Sequence, residues 1–351
     1  GYRRNRVNLC YLQFGTLAET GLYTSVPVDM SWSTYVGGAG HDGGKSVSVD
    51  SSGNCYATGS TSSSGWASGG WDTSLGGSYD AYVVKISETG THLWSTYLGG
   101  DEAEYGEGVA VESDGTCYAV GRTSSSGWVS GGWDTSLGGE KDGYVVKLGA
   151  TGGHVWSTYI GGASEDSAYS VALDTSGKCF VTGRSASSGW AGGGWDTNLD
   201  GTVDAFVVQI GELGGHLWST YLGGADNDFG IDIATDAGGN CYATGLTKSS
   251  GWVSGGWDTV YQGNDDGYVV KLSSGGAHLW STYVGGTGSD VGSGIDVNIN
   301  GEGYVTGKTG VQVWGSPPWV SGGDDTWPNG GDDAYVVKFT FLGQHVWSTY
   351  L

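Results

Sequence analysis

The sequence predicts an all-β protein, a β-propeller of four-stranded antiparallel blades, on three observations. The tetrapeptide Trp-Ser-Thr-Tyr starts at Trp32, Trp94, Trp156, Trp218 and Trp280, always 62 residues apart, and a sixth copy starts at Trp347 after a slightly longer interval. A fixed period of this size marks one supersecondary unit copied in tandem. The chain has 71 glycines, and they recur at fixed positions of that period, as in Gly37-Gly38, Gly99-Gly100, Gly161-Gly162, Gly223-Gly224 and Gly285-Gly286. Phased glycine is turn chemistry, whereas low-complexity disorder has no phase. No stretch carries a helical period; the apolar residues alternate in short runs between turn residues.

Residues 44–98 contain one whole unit. GKSVSVD (44–50) and CYATGS (55–60) alternate on either side of the turn Ser51-Ser52-Gly53-Asn54, which predicts a β-hairpin. A Trp-rich loop follows, roughly 61–79. DAYVVKIS (80–87) is the third strand, Glu88-Thr89-Gly90 a turn, and HLWSTYL (92–98) the fourth. Four antiparallel strands per repeat form a propeller blade. Such blades take about 40–50 residues, and the Trp-rich loop accounts for the surplus. A parallel β-helix is the competing architecture, but its coils are shorter and need no pair of tight hairpin turns.

The combination of WSTYLGG, a strand of the form VAVE or VSVD, a turn DGTCYAVG or SGNCYATG, and DAYVVK resembles the SBBP β-propeller repeat family over residues 30–351. The resemblance implies a secreted or cell-surface bacterial or archaeal protein, from a family usually without an assigned activity. Five complete units are expected, 37–98, 99–160, 161–222, 223–284 and 285–351, where the family's name speaks of seven blades. The segment 1–36 is expected to be a partial sixth blade or an exchanged strand. Asn8-Leu9-Cys10-Tyr11 is similar to Asn54-Cys55-Tyr56, residues 21–26 suit a third strand and residues 31–36 a fourth, so the first strand is missing. A blade without one strand exposes an unpaired edge. Either it has three strands, or a neighbouring subunit completes it by strand addition.

Composition narrows the function. The net charge of −23 repels phosphate backbones and anionic lipid, which speaks against nucleic acid and membrane surfaces as partners. No apolar run is long enough to insert into a membrane as a helix. No nucleophile elbow, phosphate loop or other catalytic motif is present. A glycosidase-type carboxylate pair needs only geometry and stays open, but nearly every carboxylate here repeats, and the expectation is that the protein is not an enzyme.

The cysteines Cys55, Cys117, Cys179 and Cys241 share the 62-residue period, with Cys10 at the matching place in the partial blade. Equivalent positions on stacked sheets lie about 10 Å apart, too far for disulfides, so these are expected to be small buried residues. His92, His154, His216, His278 and His345 all stand two residues before the Trp of the tetrapeptide, a structural rather than a catalytic pattern.

Two features are candidates for function. The loop SSSGWxSGGWDTSLGG carries Trp66, Trp71 and Asp72, then Trp128, Trp133 and Asp134, then Trp190, Trp195 and Asp196, then Trp252, Trp257 and Asp258. In the fifth unit Trp314 and Trp319 flank a Pro-Pro pair, and Asp324-Asp325 precede Thr326-Trp327. Paired Trp and Asp suit either contact between subunits, or blades, or sugar binding through ring stacking and carboxylate hydrogen bonds. The acidic loop after each Gly-Gly offers Asp101, Glu102, Glu165, Asp166, Asp226 and Asp228 as weak Ca²⁺ ligands in a pattern unlike an EF-hand; otherwise no cofactor is expected. Asp80, Asp142, Asp204, Asp266 and Asp333 open each third strand and are expected to cap turns.

Together these readings predict an extracellular or cell-surface structural or adhesive propeller. It is expected to associate with copies of itself, into filaments where the contact does not close, through its incomplete blade and Trp-rich loops. The alternative is a multivalent, lectin-like module binding surface glycans.

Overall fold

The computed structural model of the chain describes residues 31–310, 319–328 and 331–351. Among these, all regular structure is strand, in five four-stranded antiparallel sheets. Blade 1 contains β1 (Asp42–Val49), β2 (Cys55–Thr61), β3 (Asp80–Ile86) and β4 (His92–Leu98). Blade 2 contains β5 (Glu104–Val111), β6 (Cys117–Thr123), β7 (Asp142–Leu148) and β8 (His154–Ile160). Blade 3 follows with β9 (Asp166–Leu173), β10 (Cys179–Ser185), β11 (Asp204–Ile210) and β12 (His216–Leu222). Blade 4 has β13 (Asp228–Thr235), β14 (Cys241–Thr247), β15 (Asp266–Leu272) and β16 (His278–Val284). Blade 5 has β17 (Asp290–Val297), β18 (Gly303–Thr309), β19 (Asp333–Phe339) and β20 (His345–Tyr350). Sequence order is sheet order in every blade.

The turns have the chemistry that the repeat predicts. In blade 1, Asp50 Oδ1 accepts from the amides of Ser52 and Asn54, while Gly53 takes φ +78. The first strand starts two residues earlier than the alternation suggested, at Asp42, and tolerates a bulge between Gly44 and Ser46. The same bulge recurs in each blade and adds local twist.

First strands of successive blades pack on one another, as do β2 on β5 and β6 on β9, whereas fourth strands keep apart. The sheets therefore fan out from their first strands, the propeller arrangement. The core lies between blades rather than within a layer. Val109 of blade 2 clusters with Tyr56, Ala81, Val83, Trp94 and Leu98 of blade 1, and equivalent clusters join the later blades. Among the described residues the four cysteines, Cys55, Cys117, Cys179 and Cys241, are buried and free, the last three inside these clusters.

The Trp of each Trp-Ser-Thr-Tyr fixes the next blade. Trp94 Nε1 donates to Ala150 O at 3.0 Å, Trp156 to Glu212 O at 2.9 Å, Trp218 to Ser274 O at 3.2 Å and Trp280 to Phe341 O at 3.1 Å. Each acceptor belongs to the turn between the third and fourth strands of the following blade. The indole also covers that turn's glycine: a Cβ on Gly152 would stand 2.7 Å from Trp94 Cδ2, and Gly152 has φ +80. This position needs glycine for its conformation and for its lack of a side chain.

Residues 31–38 form no strand, so the expected fourth strand of a sixth blade is absent as a paired strand. Trp32 nonetheless occupies the same socket on blade 1. Its Nε1 donates to Glu88 O at 2.8 Å, and it and Val36 pack on the Tyr82, Val84 and Ile86 cluster. The other expected pieces of that blade, residues 8–11 and 21–26 with Cys10, lie outside the described residues.

The socket can be tested with neighbouring glycines. Gly152→Ala is expected to cost about 2–4 kcal/mol from αL strain and overpacking against Trp94. Gly153→Ala, whose Cβ would meet nothing within 4 Å, is expected to be near neutral. Urea unfolding midpoints of the two variants check this.

Candidate functional site

The Trp-rich loops are laid along the outer strands. In blade 1, Ser68 and Ser95 pair main chain to main chain at 2.8 Å, Gly69 bridges Ser95 in parallel, and Tyr97 N donates to Asp72 O at 2.8 Å. The Asp72 amide donates to Thr96 Oγ1 at 2.8 Å. The loop thus covers the free edge of the fourth strand, where exposed amides and carbonyls would otherwise invite pairing. Blades 2 to 5 repeat the bridge at Gly131, Gly193, Gly255 and Gly322.

The two tryptophans of each loop have different roles. Trp66 turns into its own blade, edge-on to Tyr82 at 5.3 Å and Tyr97 at 5.7 Å, with Nε1 on Thr61 Oγ1 at 3.2 Å. Trp128, Trp190 and Trp252 do the same in blades 2 to 4. The second tryptophan reaches the next blade: Trp71 stacks on His154 at 4.3 Å, Trp133 on His216 at 4.3 Å and Trp195 on His278 at 4.1 Å, while Trp257 lies 5.9 Å from His345. Trp71, Trp133 and Trp195 stay 38, 37 and 39% exposed. The carboxylates of Asp72, Asp134, Asp196 and Asp258 accept from amides two residues ahead, at 2.9 to 3.0 Å, and shape the loop.

The histidines are held by these contacts. His154 Nε2 is 2.9 Å from Ser157 Oγ, and burial under the Trp71 ring lowers its pKa. His216, His278 and His345 share the pattern and the direction. His92 has the Ser95 contact but stays exposed.

In blade 5 the loop that the sequence shows as altered keeps part of the pattern. Trp319, not Trp314, takes the place of Trp66, edge-on to Tyr335 at 5.0 Å; Trp314 lies outside the described residues. Asp325 takes the place of Asp72, its amide on Thr349 Oγ1 and its carbonyl receiving Tyr350 N. The stacking position of Trp71 is therefore occupied by Asp324. The insertion around Pro317-Pro318 hid this alignment, which becomes visible when counted from Gly322-Gly323.

The weak Ca²⁺ candidates separate. Asp101, Glu102, Glu165 and Asp226 are exposed, and Glu165 pairs with Lys141 at 3.0 Å. Asp166 and Asp228 are buried at strand starts, where their carboxylates accept from Ser187 and Ser249 hydroxyls and the Gly162 and Gly224 amides. Among the described residues no three His, Cys, Asp or Glu side chains gather as a metal site.

Asp80, Asp142, Asp204 and Asp266 cap their turns through backbone amides, such as Gly76 and Gly77 onto Asp80. Sequence reasoning missed their setting. Each is buried at a blade junction facing the acid that opens the next blade: Glu104, Asp166, Asp228 and Asp290 respectively. Burial first, then that neighbouring charge, pushes Asp80 and Asp142 up to about 6 and Asp204 and Asp266 up to about 7, against the amide bonds. The signal was present in the sequence: two acidic positions share the 62-residue period, at the first and third strand starts.

The ends of the blade array are the other distinctive surfaces. Val47 on β1 is 51% exposed, while its equivalents Val109, Val171, Ile233 and Ile295 are 6, 8, 4 and 7% exposed beneath a preceding blade. Tyr304 on β18 is 41% exposed, whereas Tyr56, Tyr118, Phe180 and Tyr242 are fully buried under a following blade. Thr306 and Ala334 beside Tyr304 are likewise exposed where Thr58 and Ala81 are buried.

A carboxyl whose folded pKa is raised holds its proton more tightly in the folded chain, so it favours folding most below the unfolded value near 3.8 and loses that contribution as pH rises through about 7. Asp204→Asn removes the charge. The melting temperature of the variant minus that of the wild type is expected to be more positive at pH 8 than at pH 5; an equal difference at both pH values would contradict the raised pKa.

The β-propeller repeat (SBBP) family model matches residues 31–65, 155–189 and 217–251, so the chain carries SBBP repeats. Regulatory protein FlaEY of Caulobacter vibrioides is 28% identical over 169 residues, 46% of this chain, and the match spans 17% of that protein's length. A protein of unknown function from Bacteroides caccae is similar in structure at a TM-score of 0.45 and 12% identity, covering 88% of this chain and 81% of its own. A second, from Dyadobacter fermentans, gives a TM-score of 0.42 at 11% identity, over 87% of this chain and 81% of its own.

Proposed function

We propose that this array of SBBP β-propeller repeats is a non-enzymatic structural building block, acting outside the cell or at its surface, that associates with copies of itself. The observation that carries the reading is the exposure of Val47 and Tyr304, at positions that every internal blade junction buries. Apolar and aromatic surface of this kind favours association, at roughly 25 cal/mol per Å² of apolar area removed from water. The four internal junctions show how such surface is covered: by another blade of the same repeat.

The other readings have less support. In blades 1 to 3 the first tryptophan of the loop packs inside its blade and the second lies on a histidine of the next, so these loops are already engaged within the fold. That leaves the lectin-like alternative with less support in those three blades. The repeated carboxylates are used in turns and junctions, which supports a scaffold over a hydrolase.

Sedimentation velocity over a hundredfold range of concentration tests the proposal. The mass is expected to rise with concentration. A monomer at every concentration would overturn it.

A further inference from the structure

We infer that the junction between blades 3 and 4 is a binding site for a primary ammonium group, the charged end of an alkylammonium ligand. The site is internal to the chain and does not depend on self-association. It lies where the repeat breaks its own pattern. At the junctions after blades 1, 2 and 4, a lysine of the third strand faces an acid of its blade's first turn. Lys85 Nζ is 3.5 Å from Asp50, Lys147 Nζ 3.7 Å from Glu112 and Lys271 Nζ 3.6 Å from Asp236. The same ammonium donates forward to a turn carbonyl of the next blade, to Ala150 O at 3.4 Å, Glu212 O at 3.3 Å and Phe341 O at 3.3 Å. It lies over the ring of Tyr56, Tyr118 or Tyr242. Each of those hydroxyls donates to a glycine carbonyl in the next blade, Gly115, Gly177 or Gly301.

Blade 3 loses both donors at once. Its lysine is Gln209 and its tyrosine is Phe180, while the acceptors Asp174, Ser274 O and Gly239 O keep their places in the repeat. Asp174 Oδ1 accepts from the amides of Ser176 and Lys178, and Oδ2 faces Gly239. A Cβ on Gly239 would meet nothing nearer than 3.5 Å. On Gly115 it would stand 2.9 Å from Tyr56 Oη and 3.1 Å from Lys85 Nζ, and on Gly301 2.7 Å from Tyr242 Oη. The junction is thus roomier where the two donors are missing. Gln209 points to a ligand independently. It is paired across the sheet with Phe180 and Trp218, is 1% exposed, and its Nε2 has no hydrogen-bond partner. A buried amide left in this state is destabilising until something supplies a partner.

A primary ammonium fits this set. It has three donors and no acceptor, to be shared among Asp174, Ser274 O and Gly239 O, and the Phe180 ring offers an aromatic face to the cation. Half a turn of the Gln209 carboxamide presents its oxygen as one more acceptor. Asp174 also lines a cavity of about 230 Å³ among the first turns of blades 3, 4 and 5, with Leu173, Val297 and Ile299 in its wall. That wall gives an alkyl stem apolar surface beside the carboxylate. The net charge of −23 draws cations toward the molecule.

Equilibrium dialysis against radiolabelled n-propylammonium, at pH 7 in physiological sodium chloride, tests the inference. The wild type is expected to bind about one equivalent per chain, and tetramethylammonium, which has no N–H, is expected not to displace it. Asp174→Asn removes the charged acceptor and is expected to weaken binding about tenfold or more. Gln209→Lys supplies a tethered ammonium, as Lys85, Lys147 and Lys271 do, and is expected to abolish binding and raise the melting temperature. Circular dichroism checks the fold of both variants, and either one alone decides the outcome. No binding by the wild type, or binding unchanged in a folded variant, would overturn the inference. Displacement by tetramethylammonium or by an equal concentration of potassium would show general cation attraction and would overturn it as well.

Discussion

The tryptophan of each Trp-Ser-Thr-Tyr holds one blade to the next, and the rest of the architecture depends on it. Its indole donates to a carbonyl in the turn of the following blade and lies on that turn's glycine. A single sheet of this kind is apolar on both faces and cannot be stable alone. β3, β7, β11 and β15 are buried at every residue, and they become so only when a blade stands on each side or, for blade 1, when Trp32 and Val36 supply part of the cover. Stability in such an array is a sum over neighbours, and the socket is the neighbour term.

The same logic explains the loops. A fourth strand ends each sheet and would present a row of unpaired amides. The Trp-rich loop closes that edge with its own backbone while sending one tryptophan inward and one onward to the next blade. Residues that look like binding tools in the sequence thus have covalently local work. Among the described residues, Val47 on β1 and Tyr304 on β18 are the exposed members of series that are buried elsewhere.

Electrostatics add a constraint across the junctions. Carboxylates that cap turns on one blade come to face carboxylates that open the next. Their turns need an acceptor aimed at consecutive amides, and junction packing removes the water that would screen the charge, so their affinity for protons rises. The histidines move the other way for the same reason, since burial disfavours their charged form. The repeat places the same raised carboxyl at four positions, Asp80, Asp142, Asp204 and Asp266.

The sequence by itself determined the blade: its four strands, the glycine turns, the tandem period and the buried, unpaired cysteines were all legible, because local alternation and turn chemistry act over a few residues and the period repeats the evidence. The placement of Asp80 and its equivalents as turn caps was legible for the same reason. Only the tertiary structure decided which tryptophan of a loop turns inward and which stacks on the next blade's histidine, that Trp319 rather than Trp314 continues the series, that acidic pairs meet at the junctions, and that Trp32 sits in a socket without belonging to a strand. Each of these depends on contacts between residues about one repeat apart or across an insertion of variable length, where spacing in the chain no longer measures distance in space. Burial is a property of neighbours: Val47 and Val109 stand at the same place in the repeat, yet Val47 is 51% exposed and Val109 6%.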